Sequence, residues 1–186
     1  AADICCLFCA KDRRNVIDNL KTISGPGTPP GDLRRMAREL YRNFAKYLVD
    51  FFRSEKVDEE YVKRFVKVEG ARHLDSVLAE GKGAILLSAH IGNWELGGSV
   101  VSLIGYPASA VVLSHKNKKI KEFFNKRRLT GKLMPIEMGT SLKACYKLLA
   151  SNRVLALLGD RDFTKNGLRF DFFGRKTLFP KGPAVF

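Results

Sequence analysis

Along the first third of the chain, apolar residues recur at helical spacing. Met36, Leu40, Phe44, Leu48 and Phe51 lie three or four positions apart, so they share one face of a helix expected from Asp32, as its cap, to about Ser54. The Pro- and Gly-rich stretch 24–32 before it reads as a loop. A second helical segment is expected around Asp58–Arg64. Phe65-Val66-Lys67-Val68 is strand-like, and Ala71–Glu80 reads as a short helix ended by Gly81.

From residue 84 the rhythm changes. Ala84–Ser88, Ala108–Leu113, Leu133–Ile136 and Val154–Leu158 are apolar runs with little polar alternation. Between them Trp94–Ile104, Lys118–Leu129 and Ser141–Leu149 have helical patterns. Such alternation predicts an α/β fold, a mostly parallel sheet flanked by helices, with the N-terminal helical segment ahead of it. Ala84–Ser88 is expected to be a buried strand. In folds of this kind ligands sit at the carboxyl ends of the strands.

The ends are read differently. Ile4 to Ala10 is apolar and is followed by Lys11, Asp12, Arg13 and Arg14, as at the end of a hydrophobic anchor helix with a cytoplasmic boundary. Residues 1–12 are accordingly assigned to that anchor and 13–186 to one further domain. The pattern stops at Pro183-Ala184-Val185-Phe186 without a closing element, so the chain is expected to be incomplete at both ends.

Composition narrows the classes. Within 186 residues, 45% hydrophobic content and 13 Phe argue for a real core and against disorder. The net charge is +14, and it is uneven: residues 94–186 carry 17 basic side chains against six acidic ones. An excess of this size suits nucleic acid, an anionic membrane or an acidic partner. Nucleic acid is disfavoured, because no helix-turn-helix, RNP, KH or zinc-finger pattern is present in the sequence. Three of the four cysteines, Cys5, Cys6 and Cys9, crowd one apolar stretch. With Cys145 they suggest reduced thiols and a cytosol-facing protein. Their spacing offers no metal site.

The candidate chemistry lies just past the first strand. His90 follows its end, and Glu95 falls in the first turn of the next helix. If the chain folds back so that they meet, Glu95 can accept from one imidazole nitrogen and raise the basicity of the other. The other nitrogen can then take a proton from a substrate hydroxyl. The competing reading is a His bonded to backbone, with Glu95 favouring the helix dipole. His73 and His115 lack companions at useful spacing and read as surface residues.

Ala89-His90-Ile91-Gly92-Asn93-Trp94-Glu95 resembles the signature block of the lipid A biosynthesis acyltransferases, within the wider lysophospholipid acyltransferase class. Gly159-Asp160-Arg161-Asp162-Phe163 is similar to the family's Asp-Gln-Asp-Tyr segment, with Arg161 where Gln is usual. Phe170-Asp171-Phe172-Phe173-Gly174-Arg175-Lys176 and Pro180-Lys181-Gly182-Pro183-Ala184 resemble a third run of that family. The segment Asn15 to Leu20 resembles its N-terminal region, so the likeness extends from about Arg13 to the end.

The resemblance implies a glycerolipid-acyltransferase-like αβα fold at the cytoplasmic face of the inner membrane. The implied reaction moves a fatty acyl group from an acyl carrier protein or acyl-CoA thioester to a hydroxyl of a lipid A precursor. A phosphatidylinositol mannoside or a lysophospholipid is the alternative acceptor. By the same resemblance His90 is the general base and Glu95 its partner, while Asp160, the acid of the second block, and Arg127 or Arg128 are assigned to substrate binding. No cofactor is implied.

The residues fit such work. Backbone N–H groups of Gly92 and Asn93, at a helix N-terminus, suit an oxyanion, and an arginine suits a lipid phosphate; Arg127 and Arg128 read equally well as a solvated basic face. Trp94 is expected in the core beside the His90 turn. Arg169 and Arg175 flank Phe170, Phe172 and Phe173, which suits either an interfacial loop or a hairpin on the core, with Phe172 expected inside. Residues 116–132 hold eight Lys and Arg against Glu122, a surface suited to an acidic donor or anionic lipid.

Overall fold

The computed structural model describes residues 10–139 and 142–186. Most of the expected anchor segment 1–12, three of the cysteines and Ser141 lie outside the described residues. Two compact units are present. One comprises the described residues through Asp50 with Arg169–Thr177, the other Phe51–Leu168 with Leu178–Phe186.

The first unit contains two helices and most of a β-hairpin. Helix α1 spans Ala10–Ser24 and α2 spans Pro30–Phe52. Gly25, at φ 95°, turns the chain between them, because only glycine adopts that backbone without a Cβ penalty. Helix α2 starts two residues before the expected Asp32 cap. Pro30 is preset for a first helical position, and the Leu33 N–H donates to the Pro29 carbonyl at 3.2 Å. Asp32 sits in the first turn and pairs with Arg35 at 3.0 Å. The expected apolar face is borne out at Phe51, which is buried, but is displaced earlier in the helix: Leu33 and Ala37 are buried, whereas Leu40 and Phe44 are exposed.

The second unit holds a four-stranded sheet. After a 3-10 turn at Ser54–Lys56 come α3 (Glu59–Phe65), α4 (Ala71–Leu78), β1 (Ala84–Ser88), α5 (Trp94–Leu103), β2 (Ala108–Val112), α6 (Lys118–Thr130), β3 (Met134–Glu137), α7 (Leu142–Ala150) and β4 (Val154–Leu158). The strand order is β1-β4-β2-β3, and every neighbouring pair is parallel. The α/β class and its parallel sheet therefore match the apolar rhythm of the sequence. Strands β5 (Leu168–Phe172) and β6 (Arg175–Phe179) pair separately, and a single turn, α8 (Gly182–Val185), follows.

Packing follows the two-residue period of the strands. On one face Ala84, Ala108 and Val154 pack with Leu133, with Leu74 and Leu78 of α4 and Val101 of α5 around them. On the other, Leu155 and Leu157 pack with Cys145 of α7, flanked by Val111, Ile136 and Phe186. A third cluster joins Val57 and Val62 to Val100 and Leu103. Burial raises the Cys145 thiol above its ordinary pKa.

Two expectations fail here. Phe65–Val68 is not a strand: α3 continues to Phe65, and the Val66 N–H closes it on the Val62 carbonyl. Val66 packs with the third cluster, whereas Phe65 and Val68 are exposed, so the apolar pattern here marks one buried contact and no pairing. Strand β1 is an edge strand instead of a buried one. Its Ala84 is buried, but Ile85 and Leu87 on the α7 face are exposed. An apolar run marks contact with one side as readily as with two.

Candidate active site

The sheet register places the site. Ser88 of β1 lies beside Leu158 of β4, and the Gly159 N–H extends the pairing to the Ser88 carbonyl at 2.9 Å. His90 and Asp160 each follow those residues by two positions. Parallel neighbours with matched ends therefore deliver both side chains to the same carboxyl edge, although 70 residues separate them in sequence.

They meet there. His90 Nδ1 lies 2.8 Å from Asp160 Oδ1, and the His90 backbone N–H donates to Asp160 Oδ2 at 3.2 Å. One carboxylate thus fixes both the ring and the backbone of the histidine. Burial, the largest influence, would raise the Asp160 pKa, but the hydrogen bonds the carboxyl accepts and the charge of the nearby His90 together hold it below its ordinary value. An ionised carboxylate only accepts hydrogen bonds, so Nδ1 is the donor to Asp160, and in the neutral imidazole Nε2 then keeps its lone pair. Trp94 packs edge-on against the ring, with centroids 4.9 Å apart; it lies beside the His90 turn as expected but is half-buried instead of in the core.

Glu95 has a different neighbour from the one expected. Its carboxylate is gripped by Arg128: Nε donates to Oε2 at 2.9 Å and Nη2 to Oε1 at 2.5 Å. Both side chains are nearly buried, 8% and 12% exposed. Arg128 also donates to Asn125 Oδ1 at 3.3 Å and stacks over Phe124, whose ring packs on Phe51 and His115. The residue on His90 Nδ1 is Asp160, so the orienting geometry expected of Glu95 belongs to Asp160. Glu95 instead ties the start of α5 to the end of α6.

The same comparison separates the two arginines. Arg127 pairs with Glu55 and lies over Phe123, while Arg128 alone reaches the helix that follows His90. Close approach of α6 to α5 depends on Gly131, where a Cβ would come within 2.7 Å of the Ser99 Cβ.

Gly92 and Asn93 form the bend between His90 and α5. Gly92 takes φ 61°, a left-handed conformation in which a side chain is strained. Asn93 caps α5, its side chain accepting from the Leu96 N–H at 3.1 Å. Their N–H groups thus stand at the positive end of α5. Among the described residues, no group of three or more His, Cys, Asp or Glu is placed to hold a metal ion, and no helix is long and apolar enough to cross a membrane. His73 is exposed, as expected, whereas His115 is half-buried against Phe124.

Sequence reasoning assigned Asp160 to substrate binding and missed its bond to His90. The signal was available in the matched offsets of His90 and Asp160 from their strand ends, but using it requires the strand order.

Comparison with known proteins places these residues in a wider context. The profile of the family described as bacterial lipid A biosynthesis acyltransferase matches residues 3–186. A phosphatidylinositol mannoside acyltransferase of Mycolicibacterium smegmatis is 30% identical over 163 residues, covering 85% of this chain and 54% of that protein. One from Mycobacterium tuberculosis is 30% identical over 174 residues, covering 89% of this chain and 54% of that protein. The chain spans about half the length of these curated relatives.

Proposed function

Because the chain belongs to the bacterial lipid A biosynthesis acyltransferase family, we propose that it transfers a fatty acyl group from a thioester to a hydroxyl of a phosphorylated membrane glycolipid. His90 is the general base and Asp160 its orienting partner. The observation that carries this reading is the Asp160 carboxylate on His90 Nδ1 at 2.8 Å, at the carboxyl edge of a parallel sheet.

The steps balance as follows. His90 Nε2 accepts the proton of the acceptor hydroxyl as its oxygen attacks the thioester carbonyl. The Asp160 carboxylate stabilises the imidazolium that forms. The tetrahedral oxyanion is stabilised by N–H groups of Gly92 and Asn93 at the start of α5. Collapse breaks the carbon–sulfur bond, and the departing thiolate takes the proton from His90. The Glu95–Arg128 pair keeps the start of α5 at the correct distance from His90.

Both the acceptor and the donor are anionic in this reading. The family description favours a lipid A precursor, and the relatives' names favour a phosphatidylinositol mannoside; the two share sugar hydroxyls beside phosphate. The +7 stretch 116–132 suits a negatively charged donor, either acyl carrier protein or acyl-CoA. The expected location is the cytoplasmic face of the inner membrane. The test uses the full-length protein with labelled acyl-carrier-protein and acyl-CoA donors and both acceptors in mixed micelles. His90→Ala should abolish transfer to whichever pair the parent uses. Undiminished transfer by that variant would overturn the mechanism.

A further inference from the structure

The β5–β6 hairpin carries its apolar residues outward. Phe170, Phe172 and Phe173 are 53%, 49% and 54% exposed, and Leu168 at the start of the strand is 51% exposed. Phe172, expected inside on the sequence pattern, is therefore at the surface. Period-two alternation puts Leu168, Phe170 and Phe172 on one face of β5 and Arg169 and Asp171 on the other. Lys176 of β6 pairs with Asp171 at 2.8 Å, so the second face is polar. The ribbon is amphipathic, yet it is only two strands wide, a form marginally stable in water by itself.

Its tip is unusual. Phe173 and Gly174 form the two-residue turn, with φ values of 50° and 70°. Such turns favour Asn-Gly or Asp-Gly, because the first position must also take a left-handed backbone. Phenylalanine there is strained, and its ring meets Phe172 edge-on, with centroids 4.7 Å apart, while remaining half in water. Among the described residues, neither conformation nor burial accounts for the choice.

The surroundings are basic. Arg175 is clamped to Asp18 of α1 by bonds of 2.7 and 3.2 Å, which anchors the hairpin on the helix carrying Lys11, Arg13, Arg14 and Lys21. The described residues of this unit hold 12 basic and six acidic side chains, a net charge of +6. Aromatic residues projecting from a basic support match the interfacial zone of an anionic bilayer, where rings enter the headgroup boundary and cations meet lipid phosphate.

We propose that the β5–β6 hairpin is a membrane-inserting element, with Phe172, Phe173 and Phe170 entering an anionic lipid surface. This rests on the membrane-lipid acceptor of the proposed function and names the surface by which the enzyme reaches it. The test measures partition of the full-length protein onto phosphatidylcholine vesicles with and without phosphatidylglycerol. Phe173→Asn suits the turn and keeps the fold; it should weaken partition onto the anionic vesicles roughly tenfold, the loss of one half-buried aromatic ring. Phe172→Ser should add to that loss. Transfer to an acceptor dispersed in detergent should be unchanged in both.

In Phe173→Trp, with the parent as blank, emission should shift to the blue and be quenched by brominated lipid only when vesicles are added. Partition unaffected by Phe173→Asn would overturn the proposal even where His90→Ala had removed transfer. Emission already blue without vesicles and unaltered by them would also overturn it, because the tip would then be covered by other parts of the protein or by a second copy. Loss of partition supports the hairpin's role even where His90→Ala remains active, so the two readings fail separately.

Discussion

Cutting the Glu95–Arg128 pair is the sharpest structural test. The two side chains are 12% and 8% exposed and share two hydrogen bonds. Glu95→Leu leaves a guanidinium with only Asn125 as its acceptor among the bonds described above. Breaking a buried pair by removing one partner costs about 3–5 kcal/mol, because a desolvated charge is left behind. The remaining Asn125 bond and the Phe124 face reduce this to about 3 kcal/mol. For a domain of this size that lowers the melting temperature by roughly 6–12 °C. Arg128→Met leaves the carboxylate in the same position and should cost a similar amount.

The double variant Glu95→Leu/Arg128→Met buries two apolar side chains and should be less destabilised than the sum of the singles by about 2 kcal/mol or more. Trp94 is the chain's one tryptophan and adjoins Glu95, so its fluorescence during urea unfolding reports on this region. Single variants that each cost under about 1 kcal/mol and simply add would refute the brace.

Three further outcomes follow from particular contacts. Gly131→Ala should destabilise by about 1–3 kcal/mol through its clash with the Ser99 side chain, and Ser99→Gly should restore part of the loss in thermal denaturation. Asp160 has a lowered pKa in the folded state, so its stabilisation is present above the ordinary value of 3.8 and is lost as pH falls through the folded value. The stability gap between the parent and Asp160→Asn should therefore narrow below about pH 4, as read by urea midpoints across pH. Arg127→Gln removes both the ion pair to half-exposed Glu55 and the contact with the Phe123 ring, and should cost about 1–2 kcal/mol, less than either single variant of the Glu95–Arg128 pair.

The parallel sheet was legible because its strands are uniform apolar runs separated by helix-length patterns. All four, from Ala84 to Leu158, appear within a residue or two of their expected places. What the sequence could not convey was adjacency. His90 and Glu95 looked like partners through nearness along the chain, whereas pairing of β1 with β4 brings Asp160 to the imidazole and leaves Glu95 for Arg128. Burial was legible less often than periodicity suggested. Leu40, Phe44, Leu87 and Phe172 are all apolar and all exposed, and a pattern of apolar residues does not state what covers them. Asn93 shows the converse: a residue read for its backbone N–H has a side chain engaged in capping α5.

The central claim is that Asp160, not Glu95, sets the proton on His90. Single-turnover acyl transfer by full-length Asp160→Asn, set beside Glu95→Gln, tests it most directly. An asparagine can offer Nδ1 an N–H in place of an acceptor and so favour the wrong tautomer; the rate should fall by about 10²–10⁴-fold with thioester binding unchanged. Glu95→Gln keeps one of the two hydrogen bonds from Arg128 and should fall by less than about tenfold. Loss in Glu95→Gln with activity retained in Asp160→Asn would contradict the account.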